Sequence, residues 1–566
     1  MFWLIAVIRN VVELVTGSFF ERSWKMERTI VRMALVLVAI CGILICTSAQ
    51  AAPNSVVTTG ATNWTTASIW KYGLPGTSDT AFVGGYEGPQ NGVNVTVNTT
   101  PTNVAGLIVG YTSNATLTIT ADGSLTAGEV QVGRGNYRFS DYTNWYGTLN
   151  LAGTLTTGLF RLGYHNDANW KGQGVVNQSA GSLTVTGAGA FVMGDNDHYV
   201  SGGSATYNQT GGTVSIGGNA TIGRYMAGST YNLQTTADAT TDFYVGGEFI
   251  ITEQSPAAGS SFRRVSGDMT ANGRARIGYR GAGTLEVQGG NGDINLNNAV
   301  DFYAASTLLV KPDVIGTSGA RISSLDCGNS VTIASGARFD LEFTTNPQVN
   351  DLITIINKTS AGAISGFFMY DDPSLGLTGL TGLTYTAPGV GGNITFTTLW
   401  GGSSYNGGDG NDLVLQILSA PSPEVNVLGN SPAFDLSILD GDATPSLDDD
   451  TDFGSTPLDT YIDRIFRVQN TGDLALTVSG LTVPDGFSII DGFDAASIPA
   501  SSYDDITIRL LATSAGTFAG DISFTNGDTG ESPYNFRITG EVTAAVPEPA
   551  ALSLIGIALL AVRRRK

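Results

Sequence analysis

Cysteine is nearly missing from this chain. Three occur in 566 residues, and Cys41 and Cys46 lie in an apolar stretch near the start, which leaves Cys327 alone in the body. No intrachain disulfide can form there, so a disulfide-stapled scaffold is excluded, and a Cys-poor acidic chain suits a bacterial extracellular setting. Positive charge is also scarce. Lys and Arg total 28 against 49 acids, a formal net charge of −21. Between residues 52 and 547 the imbalance is steeper, with 19 bases and 45 acids. Such a body repels nucleic acid and anionic membrane surfaces, and neither is expected as a partner. Histidine occurs only as His165 and His198, and no GxSxG, HExxH or P-loop pattern is present. Long apolar runs are missing too. Residues 550–562 would cover about 20 Å as a helix, against roughly 30 Å of bilayer hydrocarbon.

Glycine is abundant instead, at 74 residues, nearly double the usual share of about 7%. With few charges and many Thr, Val and Asn, this favours strands and tight turns over surface helices. The length allows more than one core. The segment MERTIVRMALVLVAICGILICTSAQAAP has the three parts of an export signal. Arg28 and Arg32 precede the apolar stretch Met33 to Ile45, and Ala49-Gln50-Ala51 is a small-residue cleavage site. Residues 1–51 are therefore expected to be removed. Met26 is the expected start, residues 1–25 adding nothing to the signal.

Three landmarks then recur about every thirty residues. One is an apolar residue followed by Gly: Val109-Gly110, Val132-Gly133, Leu162-Gly163, Met193-Gly194, Ile222-Gly223, Val245-Gly246 and Ile277-Gly278. Another is Gly123-Ser124-Leu125, Gly153-Thr154-Leu155, Gly181-Ser182-Leu183 and Gly212-Thr213-Val214. The third is Asn150, Asn177, Asn208 and Asn232. Each unit holds short alternating stretches and no helical period. One unit cannot bury its apolar face, whereas stacked coils can, so the pattern predicts a parallel β-solenoid with inward Leu, Val and Ile and an amide ladder of Asn. Residues 106–300 are the regular repeats. Residues 52–105 and 301–418, less periodic, are expected to cap the two open ends. The repeats resemble the autotransporter-type β-strand repeats of bacterial surface proteins, as do the opening NWTTASIWKYGLPGTSDTAFVG and the close SYNGGDGNDLVLQIL.

Several residues invite a chemical reading. Gly407 to Leu415 fits one copy of the calcium nonapeptide, but that roll needs consecutive copies, so a tight turn before a final strand is preferred. Stacking would bring His165, Asp167, Asp195, Asp197 and His198 together at one corner, where solenoid lyases and glycosidases place acids. Solvated turns are the plainer reading. The triplets Thr116-Leu-Thr118, Thr154-Leu-Thr156 and Thr184-Val-Thr186 are a weak sign of a flat ice-binding face.

After Pro421-Ser-Pro423 the composition shifts, with 20 acids and four bases up to Val546. Alternating segments at 424–428, 463–469, 474–483, 505–511, 518–524 and 534–541 predict an immunoglobulin-like β-sandwich over residues 421–545. The wording DGDATPSLDDDTDFGS followed by FRVQNTGDLALTVSGL resembles the choice-of-anchor D domains of bacterial surface proteins. Asp448, Asp450 and Asp452 have the 1-3-5 spacing of a calcium loop, with Asp440 and Asp442 nearby, so a calcium ion is a candidate cofactor there. A solvated acidic loop is the default.

Residues 546–566 read as an anchor. Val546-Pro547-Glu548-Pro549 precedes the short span, and Arg563, Arg564, Arg565 and Lys566 follow it. The basic end stays cytoplasmic by the positive-inside rule, and the prolines keep the outer stretch extended. This layout resembles the PEP-CTERM sorting signal. The resemblance implies transient inner-membrane anchoring, recognition by an exosortase-type processing enzyme, and transfer to the cell surface or an extracellular polysaccharide matrix. The expected fold is all-β, with an N-terminal signal helix and a short C-terminal transmembrane helix. The expected role is structural or adhesive without catalysis. The alternatives are a polysaccharide-degrading solenoid enzyme and an ice- or glycan-binding surface protein.

Overall fold

The computed structural model describes residues 52–544, apart from 57–58, 87–91, 135–144, 165–171, 189–190, 196–202, 226–227, 235–240, 255–258, 290–291, 313–324 and 403–410. The signal, the anchor span and the basic end lie outside the described residues. Almost everything described is strand, turn or bridge, with one short 3-10 helix at Ala67–Ile69.

The chain winds into a parallel coil whose strands stack in three columns. One column is a thirteen-stranded sheet among the described residues, running from Gly60–Asn63 through Trp145–Leu151, Gly172–Gln178 and Ser204–Gln209 to Gly376–Gly379. The other two run side by side within one larger sheet. They join in single long strands at Ser124–Val132 and Thr154–Leu162, then separate, as at Ser182–Val185 and Phe191–Met193. Alternation along each strand sends every second side chain inward. Leu125, Leu155, Leu183 and Val214 stand in direct register and are at most 1% exposed. Val109, Val132, Leu162, Met193 and Ile222 form a second such file.

The register corrects one landmark. Val245 pairs with Ile216 on the other column, and the partner of Ile222 is Ile251, which in turn pairs with Ile277. The file of glycines is therefore interrupted by Thr252. Gly110, Gly133, Gly163, Gly194, Gly223 and Gly278 have φ between +64° and +78°, and Thr252 adopts +60°. Two contacts hold Thr252 in that conformation: its Oγ1 donates to the Ala282 carbonyl at 2.6 Å and accepts the Ser260 N–H at 3.2 Å. Elsewhere glycine is required twice over, since a Cβ on Gly133 would sit 2.0 Å from the Gln173 carbonyl oxygen of the next rung.

Residues 52–105 add rungs of their own to the coil: Ala52–Ser55 pairs with Asp79–Val83, and Gly60–Asn63 with Val93–Val97. Trp64 and Trp70, both buried, close this end edge to face, and Trp70 Nε1 donates to the Trp64 carbonyl at 2.9 Å. At the far end the pairing changes sense. Leu352–Lys358 pairs antiparallel with Asp412–Ser419, which pairs with Gly392–Gly402, and that strand with Thr384–Gly389. The reversal occupies the last open edge of the coil, which would otherwise offer unpaired N–H and C=O groups to other chains.

One apolar core runs from Val56 to Ile417, and a separate one from Val425 to Val542. The second lies between two five-stranded sheets, ordered Leu436–Ile438, Val425–Gly429, Ile462–Asn470, Ser502–Leu510, Phe487–Asp491 and Asp452–Pro457, Tyr534–Thr543, Gly516–Asn526, Leu476–Thr482, Ser497–Ile498. Pairing in both is antiparallel except between Asp452–Pro457 and Tyr534–Thr543. The connection at Pro421 is held, because Asn346 Nδ2 donates to its carbonyl at 2.9 Å. Across the junction Gln348 Nε2 donates to Thr529 Oγ1 at 3.2 Å.

Candidate functional site

The corner after the landmark glycines is where acids and histidines were expected to gather. His165, Asp167, Asp197 and His198 lie outside the described residues. Asp195 is described and is only 1% exposed. Arg161 Nε and Arg224 Nη1 each approach its carboxylate to 3.4 Å, and Arg224 Nε lies 3.5 Å from Glu253. Arg161 also covers the Tyr164 ring at 4.5 Å, and Arg134 lies over Tyr111 at 5.2 Å and Tyr164 at 5.5 Å. A carboxylate this deeply buried needs such partners. Held from two sides, it ties rungs together, a task unlike that of a general acid. The sequence signal for these arginines was the position itself, since Arg134 and Arg224 directly follow landmark glycines.

The same corner opens, near the start of the coil, onto a cleft of about 390 Å³. Phe82, Tyr86 and Tyr111 form one side, and Glu129, Gln131 and Arg134 line it with them. Phe82 and Ile108 face outward from the coil yet are 5% and 4% exposed, packed with Tyr111 and Tyr86 as a small cluster apart from the main core. Sequence reading missed this site because its residues belong to different rungs.

The Thr-x-Thr triplets do not make one array. Thr116 and Thr118 stand on the thirteen-stranded column, whereas Thr154, Thr156 and Thr184 stand on another. In the single nonapeptide, residues 407–410 lie outside the described residues. Asp412 starts the closing strand and accepts the Lys358 N–H at 2.8 Å. The buried Lys358 Nζ donates to the carbonyls of Ala361 and Gly362 at 3.1 and 2.7 Å.

In the acidic loop the carboxylates of Asp440, Asp442, Asp450 and Asp452 each serve a local turn or ion pair. Asp440 Oδ1 accepts the Asn535 N–H and Asp442 Oδ1 the Thr444 N–H, at 2.8 and 2.9 Å. Asp450, 5% exposed, accepts the Ser431 N–H at 2.8 Å and pairs with Arg464 Nη1 at 2.6 Å. Asp452 Oδ1 accepts the Gly454 N–H at 2.8 Å. Asp448 donates its N–H to Ser446 Oγ at 3.1 Å. Among the described residues, carboxylates close enough to share an ion occur elsewhere, at Glu424, Asp528 and Glu531, with oxygens within 4.8 Å of one another. Burial, with Asp528 and Glu424 beside it, holds the Glu531 carboxyl above its usual range.

The sorting residues Val546, Pro547, Glu548 and Pro549, the basic end from Arg563 to Lys566, and the cleavage residues Ala49 and Ala51 all lie outside the described residues. No helix among the described residues is long and apolar enough to cross a membrane. Residues 545–566 match the PEP-CTERM protein-sorting motif. The motif marks an exported protein that an exosortase sorts to the cell surface. No curated protein matches the chain. Among solved structures, a protein of unknown function from Porphyromonas gingivalis W83 is 12% identical, with a TM-score of 0.16, over 28% of this chain and 66% of its own. A PapD-like domain of human CEP192 is 12% identical, at 0.15, over 22% and 89%. The VesB protease of Vibrio cholerae is 13% identical, at 0.15, over 30% and 50%. Scores this low carry no argument about the fold, and the first and third are matched over less than two thirds of their own length.

Proposed function

We propose that this chain is a structural or adhesive protein without catalysis of its own, held at the cell surface or in an extracellular polysaccharide matrix. The C-terminal motif at 545–566 carries the reading, because it fixes where the chain goes. Its body suits that destination. The coil pairs charges from rung to rung, as in Arg161–Asp195–Arg224 and Glu286 with Arg263 and Lys311. The two-sheet unit behind it reads as an immunoglobulin-like domain of the choice-of-anchor D type, spacing the coil from the anchor. The repeats read as autotransporter-type. The alternative of a polysaccharide-degrading enzyme draws no support from Asp195, whose carboxylate two guanidinium groups occupy.

The test is on the tail. Replacing Pro547, Glu548 and Pro549 with Ala raises the helicity of the segment, since Ala is a far better helix former than Pro. A plain anchor would hold as well or better. A sorting motif would fail, leaving uncleaved precursor in the inner membrane with residues 563–566 still attached. Fractionation and C-terminal mass spectrometry in the native bacterium separate the two outcomes. Wild-type protein found intact in the membrane would overturn the reading.

A further inference from the structure

We infer that the cleft between Phe82, Tyr86 and Tyr111 on one side and Glu129, Gln131 and Arg134 on the other is a binding site for a neutral saccharide. The strongest observation is an unmet acceptor. Gln131 is 6% exposed and lines the cleft; its Nε2 donates to Glu129 Oε1 at 2.7 Å, while its Oε1 has no hydrogen-bond partner among the described residues. Arg134 Nε, a buried donor lining the same cleft, also lacks one. Buried polar atoms are nearly always paired, and leaving one unmet costs about 1–3 kcal/mol. Both residues line the same cleft as the aromatic wall.

The chemistry of the two unmet atoms narrows the ligand. A phosphate or carboxylate would satisfy Arg134 and repel the Gln131 oxygen. An ammonium group would satisfy Gln131 and repel Arg134. A hydroxyl both donates and accepts, so the hydroxyls of a sugar suit both kinds of atom. The wall supplies what the rest of a pyranose needs. The Tyr86 and Tyr111 rings are nearly parallel at 6.0 Å, Phe82 lies 4.8 Å from Tyr86 and 5.2 Å from Tyr111, and Tyr86 is half-buried. Such rings offer an apolar flank with a polar tip, suited to the C–H face of a sugar. Electrostatics favour a neutral sugar over an acidic one. Glu129 has Arg161 Nε at 3.6 Å, which balances the charge locally, while the strongly acidic body repels polyanions. The volume, about 390 Å³, falls within the roughly 300–1,000 Å³ typical of small-molecule sites.

This inference deepens the surface reading by naming what the adhesive would hold, but the site rests on its own geometry. The test uses the exported chain, purified from the culture, with isothermal titration and affinity electrophoresis. One arm takes neutral polysaccharides (a β-glucan, dextran and galactomannan), another the neutral polysaccharide of the producing strain's matrix, and a third alginate as a polyanion. We expect saturable binding in a neutral arm, with the native polysaccharide identifying a self-matrix ligand and the others a foreign one. Gln131→Leu should weaken binding at least tenfold while leaving the melting temperature unchanged or raised, because it removes an unmet buried oxygen. Tyr86→Ala, at a half-exposed ring, should weaken it as much should Gln131→Leu fold poorly. Sorting should be normal in both variants, so a failure here is separable from a failure of the tail. Binding to no neutral arm, binding to alginate alone, or neutral binding unaffected by both substitutions would overturn the proposal.

Discussion

Leu183 is wholly buried, with Leu155 and Val214 as its neighbours in the adjacent rungs. Asp at that position would place a carboxylate in a file of apolar side chains, at a cost of several kcal/mol unless it is neutralised. We expect Leu183→Asp to lower the melting of the coil sharply or abolish folding; melting within a degree or two of wild type would mean the rung does not face inward. Two rungs also bury tyrosines. Tyr207 and Tyr231 donate to Gln178 and Gln209 Oε1, each at 2.6 Å, and the Gln Nε2 groups donate onward to the Thr213 and Asp242 carbonyls at 3.1 Å. Burial raises both phenols well above their ordinary value. An acid whose pKa is raised by folding contributes stability that is intact below its unfolded pKa, about 10, and falls as pH climbs above it. The coil should therefore lose stability steeply above about pH 10. Tyr207→Phe should flatten that slope while costing about 1–3 kcal/mol at neutral pH, because it leaves Gln178 Oε1 unmet. Denaturant titrations at pH 8 and pH 10.5 measure both effects, and an unchanged alkaline slope would refute the assignment.

Among the elements, the Asn ladder was legible because one residue type recurs at one place. Asn177 donates to Asn150, Asn208 to Asn177 and Asn232 to Asn208, at 3.1, 3.0 and 2.8 Å. The Thr252 rung was not legible, since a β-branched residue at positive φ has no sequence signature and the neighbouring Val245-Gly246 imitates the landmark. In the second unit the long alternating strands were visible, with Ile462–Asn470 close to the expected 463–469. Short strands such as Leu436–Ile438 and Asp452–Pro457 were not, because acidic turns break their alternation. Spacing also says nothing of the local bonds that Asp450 and Asp452 make, Asp450 to Ser431 and Arg464 and Asp452 to Gly454. We accordingly expect the melting of the sandwich to be equal in excess calcium and in chelator. A ligand bound only to the folded state would raise stability by mass action. A calcium-dependent rise with stoichiometric bound metal, lost in Asp448→Asn/Asp452→Asn but kept in Glu424→Gln/Glu531→Gln, would restore a shared ion among Asp440, Asp442, Asp448, Asp450 and Asp452.

For the molecule as a whole, the folded body constrains what the proposed anchor must do. The described body ends in the long strand Tyr534–Thr543, and the match to the sorting motif begins at residue 545. On the proposed reading, in which residues 550–562 cross the membrane, a processing enzyme reaches Pro547–Pro549 close to the membrane face and the span must stay in position. As a helix those residues would cover about 20 Å, less than the hydrocarbon layer, and would have little grip of their own. On that reading the four cations at 563–566 would supply the hold, since moving them outward opposes both the positive-inside bias and the membrane potential. Deleting Arg563 to Lys566 should therefore differ from changing Pro547, Glu548 and Pro549. The deletion should let precursor slip outward, uncleaved and in the soluble exported fraction, whereas the motif variant should accumulate uncleaved in the membrane. Fractionation followed by intact-mass measurement of each pool distinguishes them. If the deletion variant is cleaved and sorted like wild type, the basic end is not what holds the span.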